Sequence, residues 1–318
     1  MNKIGKLLYS LIIRGYTFGF RLAFSHLLLI FLRPFGLPSW AAHIVNWQQK
    51  QIKKKIGNFI SELDLNSCTG NDLTSENADG IIWFCWLQGE EKMPPIPQLC
   101  LKSIRKFSNG HQVITITLQN YKHYVTLPGR IEKLFSEGKM SAAHFSDCLR
   151  LNLLNQRGGL WLDATILLVR DIENEVFKMP FFSVKTPEHG NYVSRCRWAV
   201  FCIASPRQGY LIDRITYCIN QYWAKWDCVV DYLFLDYIMD YFYAHDRQSR
   251  EQLDAIPYNN PSIHDLKMKL CDDYNPDIIG DLCRDNFMFK LNWRLYSKEQ
   301  LAKQNTIYKH FERLLDNE

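Results

Sequence analysis

Acidic residues are missing from the first 60 positions of this 318-residue chain, whereas nine Lys or Arg residues lie there. The remaining positions carry 29 basic and 33 acidic side chains, so the net charge of +5 comes from the N-terminal segment. A nucleic-acid-binding domain has its basic residues on the folded body. The sequence therefore argues against a nucleic-acid partner and predicts that the N-terminal end meets an anionic surface.

Long apolar runs are also missing, since none reaches the roughly 18 residues of a membrane-spanning helix. This argues against a polytopic membrane protein. The sequence lacks GxGxxG, GxxxxGK[ST] and GxSxG, the signatures of dinucleotide sites, P-loops and serine-hydrolase elbows. It is not short of core residues, because 47% are apolar and 14% aromatic, and this composition excludes a disordered chain.

Cysteine pairs at short spacing are absent as well. The ten cysteines include no CxxC and no Cys/His cluster at zinc spacing. Several lie in apolar runs, such as Cys85 in IIWFCW and Cys202 in AVFCIAS. We therefore expect reduced, buried thiols and a cytoplasmic protein.

The N-terminal segment, residues 1–63, is basic and rich in apolar residues. Residues 4–32 predict one interfacial amphipathic helix, ended by Pro34 and Pro38 and followed by a basic stretch over 48–59. We expect this segment to bind the inner face of the cell membrane, which makes the protein peripheral. The alternative is that it packs on the protein's own core. Residues 64–80 are polar and predict a linker.

From residue 81 onward, apolar strand patterns alternate with helical ones. The alternation predicts an α/β fold with a mostly parallel sheet and helices on both of its faces. The predicted strands span residues 81–86, 111–118, 160–163, 166–169, 181–185, 198–204 and 287–291. The predicted helices span residues 97–107, 127–138, 141–157, 206–222 and 229–243, with a last one from 297.

The residues most suited to chemistry lie between residues 146 and 165. Asp147 and Arg150 are three positions apart on one predicted helix, so they project together. The helix ends at Gly158 and Gly159, and the next strand ends in Asp163. Ligands of open α/β sheets bind outside the carboxyl ends of strands, and carboxylate oxygen suits Mg²⁺ or Mn²⁺. The pattern therefore predicts a crevice with a divalent cation beside a charged leaving group.

Three stretches of the sequence resemble the capsular polysaccharide synthesis proteins, relatives of the glycosyltransferase family 32 sugar transferases and the clostridial glucosylating toxins. They are SDCLR with GGLWLDAT (146–165), IIWFCWLQGEEKMPPIPQLCLKSI (81–104) and KLNW (290–293). The resemblance implies one GT-A-like (Rossmann-like) domain over 81–318. It implies a metal-dependent hexosyltransferase that uses a nucleotide-sugar donor, with a UDP-sugar favoured, and retains anomeric configuration. The acceptor would be a lipid-linked glycan in capsular or O-antigen synthesis.

The resemblance also implies a role for individual residues. Asp163 is the metal-linked acid of an Asp-x-Asp motif whose third position here is Thr165, and a divalent cation (Mn²⁺ or Mg²⁺) would bind Asp163, Thr165 and Asn292. Asp163, Asp147 and Arg150 are the expected catalytic residues. The expected donor-binding residues are Trp83, Trp86, Gln88, Asp147, Arg150, Lys290 and Trp293.

Two other functions are compatible with the same sequence. Thr165, in place of a second carboxylate, fits a non-catalytic nucleotide-sugar or glycan-binding subunit of a synthesis complex. A transferase of hexose-1-phosphate is the third alternative, and its product would retain phosphorus.

Overall fold

The computed structural model of the protein describes residues 3–32, 39–70, 80–190 and 192–316, with only the helical backbone described for residues 3–10. The helices are α1 (Lys3–Phe18), α2 (Phe20–Leu32), α3 (Ala41–Ser61), α4 (Pro95–Lys106), α5 (Tyr121–Tyr124), α6 (Gly129–Ser136), α7 (Ala142–Arg157), α8 (Glu175–Lys178), α9 (Tyr210–Lys225), α10 (Phe234–His245), α11 (Arg247–Asp254), α12 (Leu266–Lys269), α13 (Pro276–Arg284), α14 (Lys298–Ala302) and α15 (Ile307–Asp316). The strands are β1 (Ile82–Cys85), β2 (Val113–Ile116), β3 (Gly159–Leu162), β4 (Ile166–Leu168), β5 (Phe182–Ser183), β6 (Cys202–Ser205) and β7 (Met288–Lys290).

The chain forms two compact units. The first comprises Met1–Cys68, Leu127–Cys148 and Arg214–Arg250. The second comprises Thr69–Thr126, Leu149–Asp213 and Glu251–Glu318. The predicted division into a segment 1–63, a linker 64–80 and a domain 81–318 stays a prediction. Residues 71–79 of that linker lie outside the described residues, and Leu65–Ser67 form a short 3₁₀ helix.

The central sheet lies in the second unit and has the strand order β2-β1-β3-β6-β5. β1 is parallel to β2 and β3, whereas β6 is antiparallel to β3 and β5. Four of the five strands therefore point the same way, which confirms the predicted α/β class and the mostly parallel sheet. β4 and β7 form a separate antiparallel pair.

The burial of the central strands of this sheet follows from their apolar sequences. All four residues of β1 and all four of β3 are buried, as their uninterrupted apolar runs predict. Three other strands of the sheet are clearly shorter than predicted. β2 covers only Val113–Ile116 of residues 111–118, β5 covers only Phe182–Ser183 of residues 181–185, and β6 begins at Cys202 rather than at residue 198.

The passage from α7 into β3 depends on two glycines. The Ser141 hydroxyl caps the start of α7 by accepting a hydrogen bond from His144 N at 3.2 Å. At the other end Gly158 and Gly159 have φ values of +71° and +100°. A Cβ on Gly159 would lie 2.4 Å from the carbonyl oxygen of Ile81. The close approach of β3 to β1 therefore requires glycine at this position.

Two predicted helices differ from the observed ones. The helix predicted from residue 229 begins at Phe234, after a turn in which Asp231 Oδ1 accepts a hydrogen bond from Leu233 N. The C-terminal helix predicted from residue 297 is divided into α14 and α15, and Asn305 between them has a φ of +59°. Ser297 begins α14 with a capping box that also involves Gln300.

The N-terminal residues form two helices, so the single helix predicted over 4–32 is wrong. Gly19, with a φ of +99°, separates α1 from α2 because it turns the chain in a way that a helix interior does not allow. The predicted helix end at Pro34 and Pro38 lies outside the described residues. Among the described residues, no helix is long and apolar enough to cross a membrane.

The basic stretch over 48–59 belongs to α3, which packs inside the first unit. Its buried residues include Ile52, Ile56 and Phe59, spaced along one face. The Phe59 ring lies 5.0 Å from that of Trp226, and Lys53 Nζ lies 2.8 Å from Asp240 Oδ2 on α10. For α3, the structure therefore follows the alternative of a helix packed on the protein's own core.

None of the ten cysteines, all of which lie among the described residues, forms a disulfide bond. The expectation of buried thiols holds for half of them, since the other five are only half-buried. The buried ones are Cys85, Cys100, Cys148, Cys202 and Cys218.

Candidate functional site

The carboxyl ends of β1 and β3 meet at one edge of the central sheet, because these two strands are parallel and Phe84 pairs with Leu162. Trp86 follows β1 at this edge and Asp163 follows β3. The antiparallel pair β4–β7 supplies a third residue of the site, Lys290. In its register Lys290 lies opposite Ile166, and Ile166 is three positions after Asp163. Residues far apart in the sequence are thus brought to the edge where α/β proteins bind ligands.

Asp163 is the centre of this site, and both of its carboxylate oxygens accept hydrogen bonds. Oδ1 accepts from Arg150 Nη2 at 2.8 Å and from Trp161 Nε1 at 3.0 Å. Oδ2 accepts from Lys290 Nζ at 2.9 Å. One anion therefore lies between two cations, and the three side chains together carry a charge of +1.

The two cations differ in their surroundings. The Arg150 side chain is 5% exposed, and its guanidinium carbon lies 5.1 Å from the centre of the Trp161 ring. The Lys290 side chain is 20% exposed and its ammonium lies 4.9 Å from the centre of the Phe201 ring. Arg150 is therefore fixed within the protein, whereas Lys290 and the 28% exposed Asp163 reach solvent.

The charges control the protonation of Asp163. Burial by itself would raise the pKa of this carboxyl group, but the charges of Lys290 and Arg150 and the hydrogen bonds from Lys290 and Trp161 bring the pKa below its ordinary value. Asp163 is therefore ionised at neutral pH.

Two tryptophans that the sequence assigns to donor binding come together at this edge. The rings of Trp86 and Trp293 lie 5.8 Å apart in an edge-to-face arrangement. The Trp86 indole N–H is buried and has no hydrogen-bond partner within the described part of the chain. Gln88 is exposed in the turn after β1.

Trp83 has a structural contact that the sequence does not indicate. Its side chain is 1% exposed, and its indole N–H donates a hydrogen bond to the carbonyl oxygen of Gly158 at 2.8 Å. This bond ties β1 to the glycine turn that precedes β3. A role in donor binding stays a prediction for this residue.

Asp147 lies in the first unit, and Arg150, one turn later on α7, lies in the second. In the first unit, Asp147 Oδ2 lies 3.6 Å from His144 Nδ1. His144 is buried, and the ring of Tyr232 lies 5.7 Å from its own. The predicted convergence of Asp147 with Asp163 stays a prediction.

Metal binding by Asp163, Thr165 and Asn292 stays a prediction. Among the described residues, no three His, Cys, Asp or Glu side chains are arranged to hold a metal ion. The Thr165 carbonyl oxygen accepts a hydrogen bond from Leu291 N at 2.8 Å, which places Asn292 in the adjoining segment. Asn292 is exposed, and its Oδ1 accepts a hydrogen bond from Arg294 N. Asp163 is already paired with two cations, which disfavours a divalent metal ion at the same carboxylate.

Two contributors to the site are not apparent from the sequence. Trp161 reads as a core residue, and it is 1% exposed, yet its N–H holds the carboxylate of Asp163. The carbonyl oxygen of Phe201 accepts the hydrogen bond from Asp163 N at 2.9 Å and so fixes the backbone of that residue. The only indication in the sequence of the contact between Trp161 and Asp163 is their spacing of two residues, because such residues face the same side of a strand.

Comparison with known proteins gives a match to a family model and matches to several solved chains. One of these structures, "PaToxG Glycosyltransferase", has a TM-score of 0.40 and 14% sequence identity to this chain, and the alignment covers 83% of this chain and 94% of that one. No curated protein sequence matches. The sequence model of the family described as "Capsular polysaccharide synthesis protein" matches residues 43–311. Because this match spans most of its length, the chain belongs to the capsular polysaccharide synthesis protein family.

Proposed function

We propose that the protein is a glycosyltransferase that moves a hexose from a nucleotide-sugar donor, with a UDP-sugar favoured, to a lipid-linked glycan in capsular or O-antigen polysaccharide synthesis. The observation that carries the proposal is the cluster of Asp163, Arg150 and Lys290 at the carboxyl edge of a mostly parallel sheet. Membership in the capsular polysaccharide synthesis protein family supports the same chemistry.

The site offers separate groups for the parts of such a donor. Its net positive charge suits a diphosphate, which carries negative charge on several oxygens. The Trp86 and Trp293 rings suit the flat face of a base or the apolar face of a sugar, and the unpartnered Trp86 N–H is a hydrogen-bond donor for either. The Asp163 carboxylate accepts hydrogen bonds and suits sugar hydroxyl groups.

The proposed reaction is a displacement at the sugar C1 atom. The bond from C1 to the β-phosphate oxygen breaks, and its electron pair leaves with the nucleoside diphosphate. An acceptor hydroxyl oxygen forms the new bond to C1, and its proton passes to the departing phosphate. In this front-face course configuration is retained and no separate base is needed, so the protein's part is to position the donor and stabilise the leaving charge.

The proposal includes attachment to the inner face of the cell membrane through the N-terminal helices. Phe20, Phe24 and Phe31 on α2 are 59%, 65% and 67% exposed, an unusual arrangement for large apolar side chains. The first 60 residues contain no acid that would repel anionic lipid. Apolar side chains next to basic ones suit the headgroup region of a bilayer, where lipid-linked acceptors are found.

A donor panel tests the proposal. The purified protein is incubated with UDP-, GDP- and dTDP-sugars, with and without Mn²⁺, and release of the nucleoside diphosphate is recorded. We expect release from one donor, and mass spectrometry of the product should show an added hexose without phosphorus. Added phosphorus would identify a hexose-1-phosphate transferase instead.

A second candidate function is a non-catalytic nucleotide-sugar or glycan-binding subunit. It is favoured by Thr165, which stands where a second carboxylate would otherwise be expected, and by the three hydrogen bonds that Asp163 already accepts from the protein. Donor binding without any turnover, including turnover with a lipid-linked acceptor present, would favour this function over the transferase.

A further inference from the structure

We propose that Lys290 binds the donor's diphosphate while Arg150 holds Asp163 in place beside it, and that the protein needs no divalent metal ion. The inference rests on the proposed transferase function and specifies how its leaving group is stabilised. It begins from the charges at Asp163, where one carboxylate meets an ammonium at 2.9 Å and a guanidinium at 2.8 Å.

A divalent cation is disfavoured at this place for two reasons. Each oxygen of Asp163 already accepts a hydrogen bond from a cation, so a metal ion bound to Oδ2 would lie beside Lys290 and one bound to Oδ1 beside Arg150. Like charges at such distances repel strongly. Neither Thr165 nor Asn292 adds a negative charge to offset this repulsion.

The same charges suit a diphosphate. Two cations and one anion leave one positive charge for the incoming group, and an Arg guanidinium and a Lys ammonium are ordinary partners of phosphate oxygen. In other sites a metal supplies this charge to the leaving group. Here the described residues supply it without an added ion.

The two cations have different parts to play. Arg150 is almost fully buried and packed against Trp161, so it holds Asp163 in place. Lys290 is on a flexible stem and partly exposed, so it can turn from Asp163 Oδ2 to a phosphate oxygen. Its departure leaves Oδ2 free to accept a hydrogen bond from a hydroxyl of the donor sugar. Donor binding therefore exchanges an internal ion pair for two contacts with the donor.

During the reaction Lys290 stays protonated. As the bond between C1 and the β-phosphate oxygen breaks, the electron pair moves to that oxygen and the ammonium stabilises the new charge through a hydrogen bond. The acceptor's proton still goes to the departing phosphate, so no proton is taken from or given to the lysine. The charge on Lys290 is thus required, whereas its acidity is not.

Calorimetric titration with UDP, GDP and dTDP, in EDTA and in Mn²⁺, tests the inference. We expect one nucleotide to bind in EDTA with a Kd within about twofold of its value in Mn²⁺. The Lys290→Met variant should bind at least tenfold more weakly, and Lys290→Arg, which retains the charge, should bind within about threefold of wild type. Lys102→Met is the matched control, because Lys102 is exposed and pairs with Asp316.

The outcomes separate the inference from the function on which it rests. Donor turnover that persists in EDTA and falls in Lys290→Met supports both. Binding and turnover that appear only with Mn²⁺ overturn the inference and leave the transferase intact, as does wild-type binding by Lys290→Met. Absence of nucleotide binding and of turnover under every condition overturns the proposed function, and with it the inference.

Discussion

Lys290 Nζ lies 2.9 Å from Asp163 Oδ2, although 127 residues separate the two in the sequence. The contact depends on the antiparallel pairing of β4 with β7, in which Lys290 lies opposite Ile166. It also depends on β3, which ends directly before Asp163. The candidate site is thus built by strand pairing, so its residues contribute to the stability of the second unit as well as to binding. Substitutions there are expected to change both properties.

Replacing Asp163 by Asn should lower the free energy of unfolding by about 1–3 kcal/mol. Asn keeps the shape of the side chain but removes the charge that pairs with the buried Arg150. Urea denaturation measures the loss. The control is Asp281→Asn, whose side chain is 70% exposed and pairs with Arg284 on the surface. It should stay within about 0.5 kcal/mol of wild type, and equal losses in the two variants would contradict the account.

The stability due to Asp163 should depend on pH in a definite direction. The folded protein holds the pKa of this carboxyl group below its ordinary value. Its contribution is therefore complete above the unfolded pKa of about 4, and it is lost as the pH falls through the folded pKa. The difference in unfolding free energy between wild type and Asp163→Asn should stay constant from about pH 7 to pH 5 and shrink below about pH 4. If the difference in unfolding free energy instead grew as the pH fell, the pKa of Asp163 would be raised in the folded protein rather than lowered.

Gly159→Ala should destabilise the protein severely, by more than about 3 kcal/mol. The added Cβ would lie 2.4 Å from the carbonyl oxygen of Ile81, and the φ of +100° is unfavourable for alanine. Gly280→Ala in α13 is the matched control, because nothing lies within 4 Å of its added Cβ. The control should gain about 0.5–1 kcal/mol from the helix propensity of alanine. In thermal unfolding, we expect the melting temperature to fall for Gly159→Ala and to rise for Gly280→Ala, each relative to wild type.

The exposed apolar residues of α2 should mediate binding to anionic lipid. We expect the full-length protein to sediment with vesicles that contain phosphatidylglycerol and to bind pure phosphatidylcholine vesicles weakly. The double variant Phe24→Ser/Phe31→Ser should bind at least fivefold less. The control is Tyr258→Ser/Met268→Ser, which removes two side chains that are each 69% exposed elsewhere in the chain. Equal loss in both double variants would refute the assignment to α2.

The parts of the fold that depend on local sequence could be predicted. The apolar run around Trp83 marks β1, and Gly158 and Gly159 mark the turn before β3, because each feature acts on neighbouring residues. The antiparallel orientation of β6 relative to β3 could not be predicted. A fully buried strand is apolar along its whole length, so its sequence does not show which way it runs in the sheet. The break between α1 and α2 at Gly19 could not be predicted either, because an isolated glycine is also compatible with a continuous helix.

The sequence predicts which residues belong to the candidate site better than it predicts their contacts with one another. Asp163 and Arg150 are selected from the residue pattern itself, and Lys290 is selected through the resemblance to the family. Their mutual contacts depend on the β4–β7 pairing and on the packing of a buried arginine, which have no signal in periodicity or spacing. Trp161 is not among the residues selected from the sequence, because an apolar strand pattern does not show that a buried indole also donates a hydrogen bond.

The most direct test of the account is nucleoside diphosphate release from the donor that the panel identifies, compared between wild type, Asp163→Asn and Asp281→Asn. Each variant is first checked for folding by thermal denaturation. We expect folded Asp163→Asn to lose about 99% or more of the wild-type rate, and Asp281→Asn to retain the wild-type rate. Release by folded Asp163→Asn at the wild-type rate would contradict the placement of the transferase site at this carboxylate.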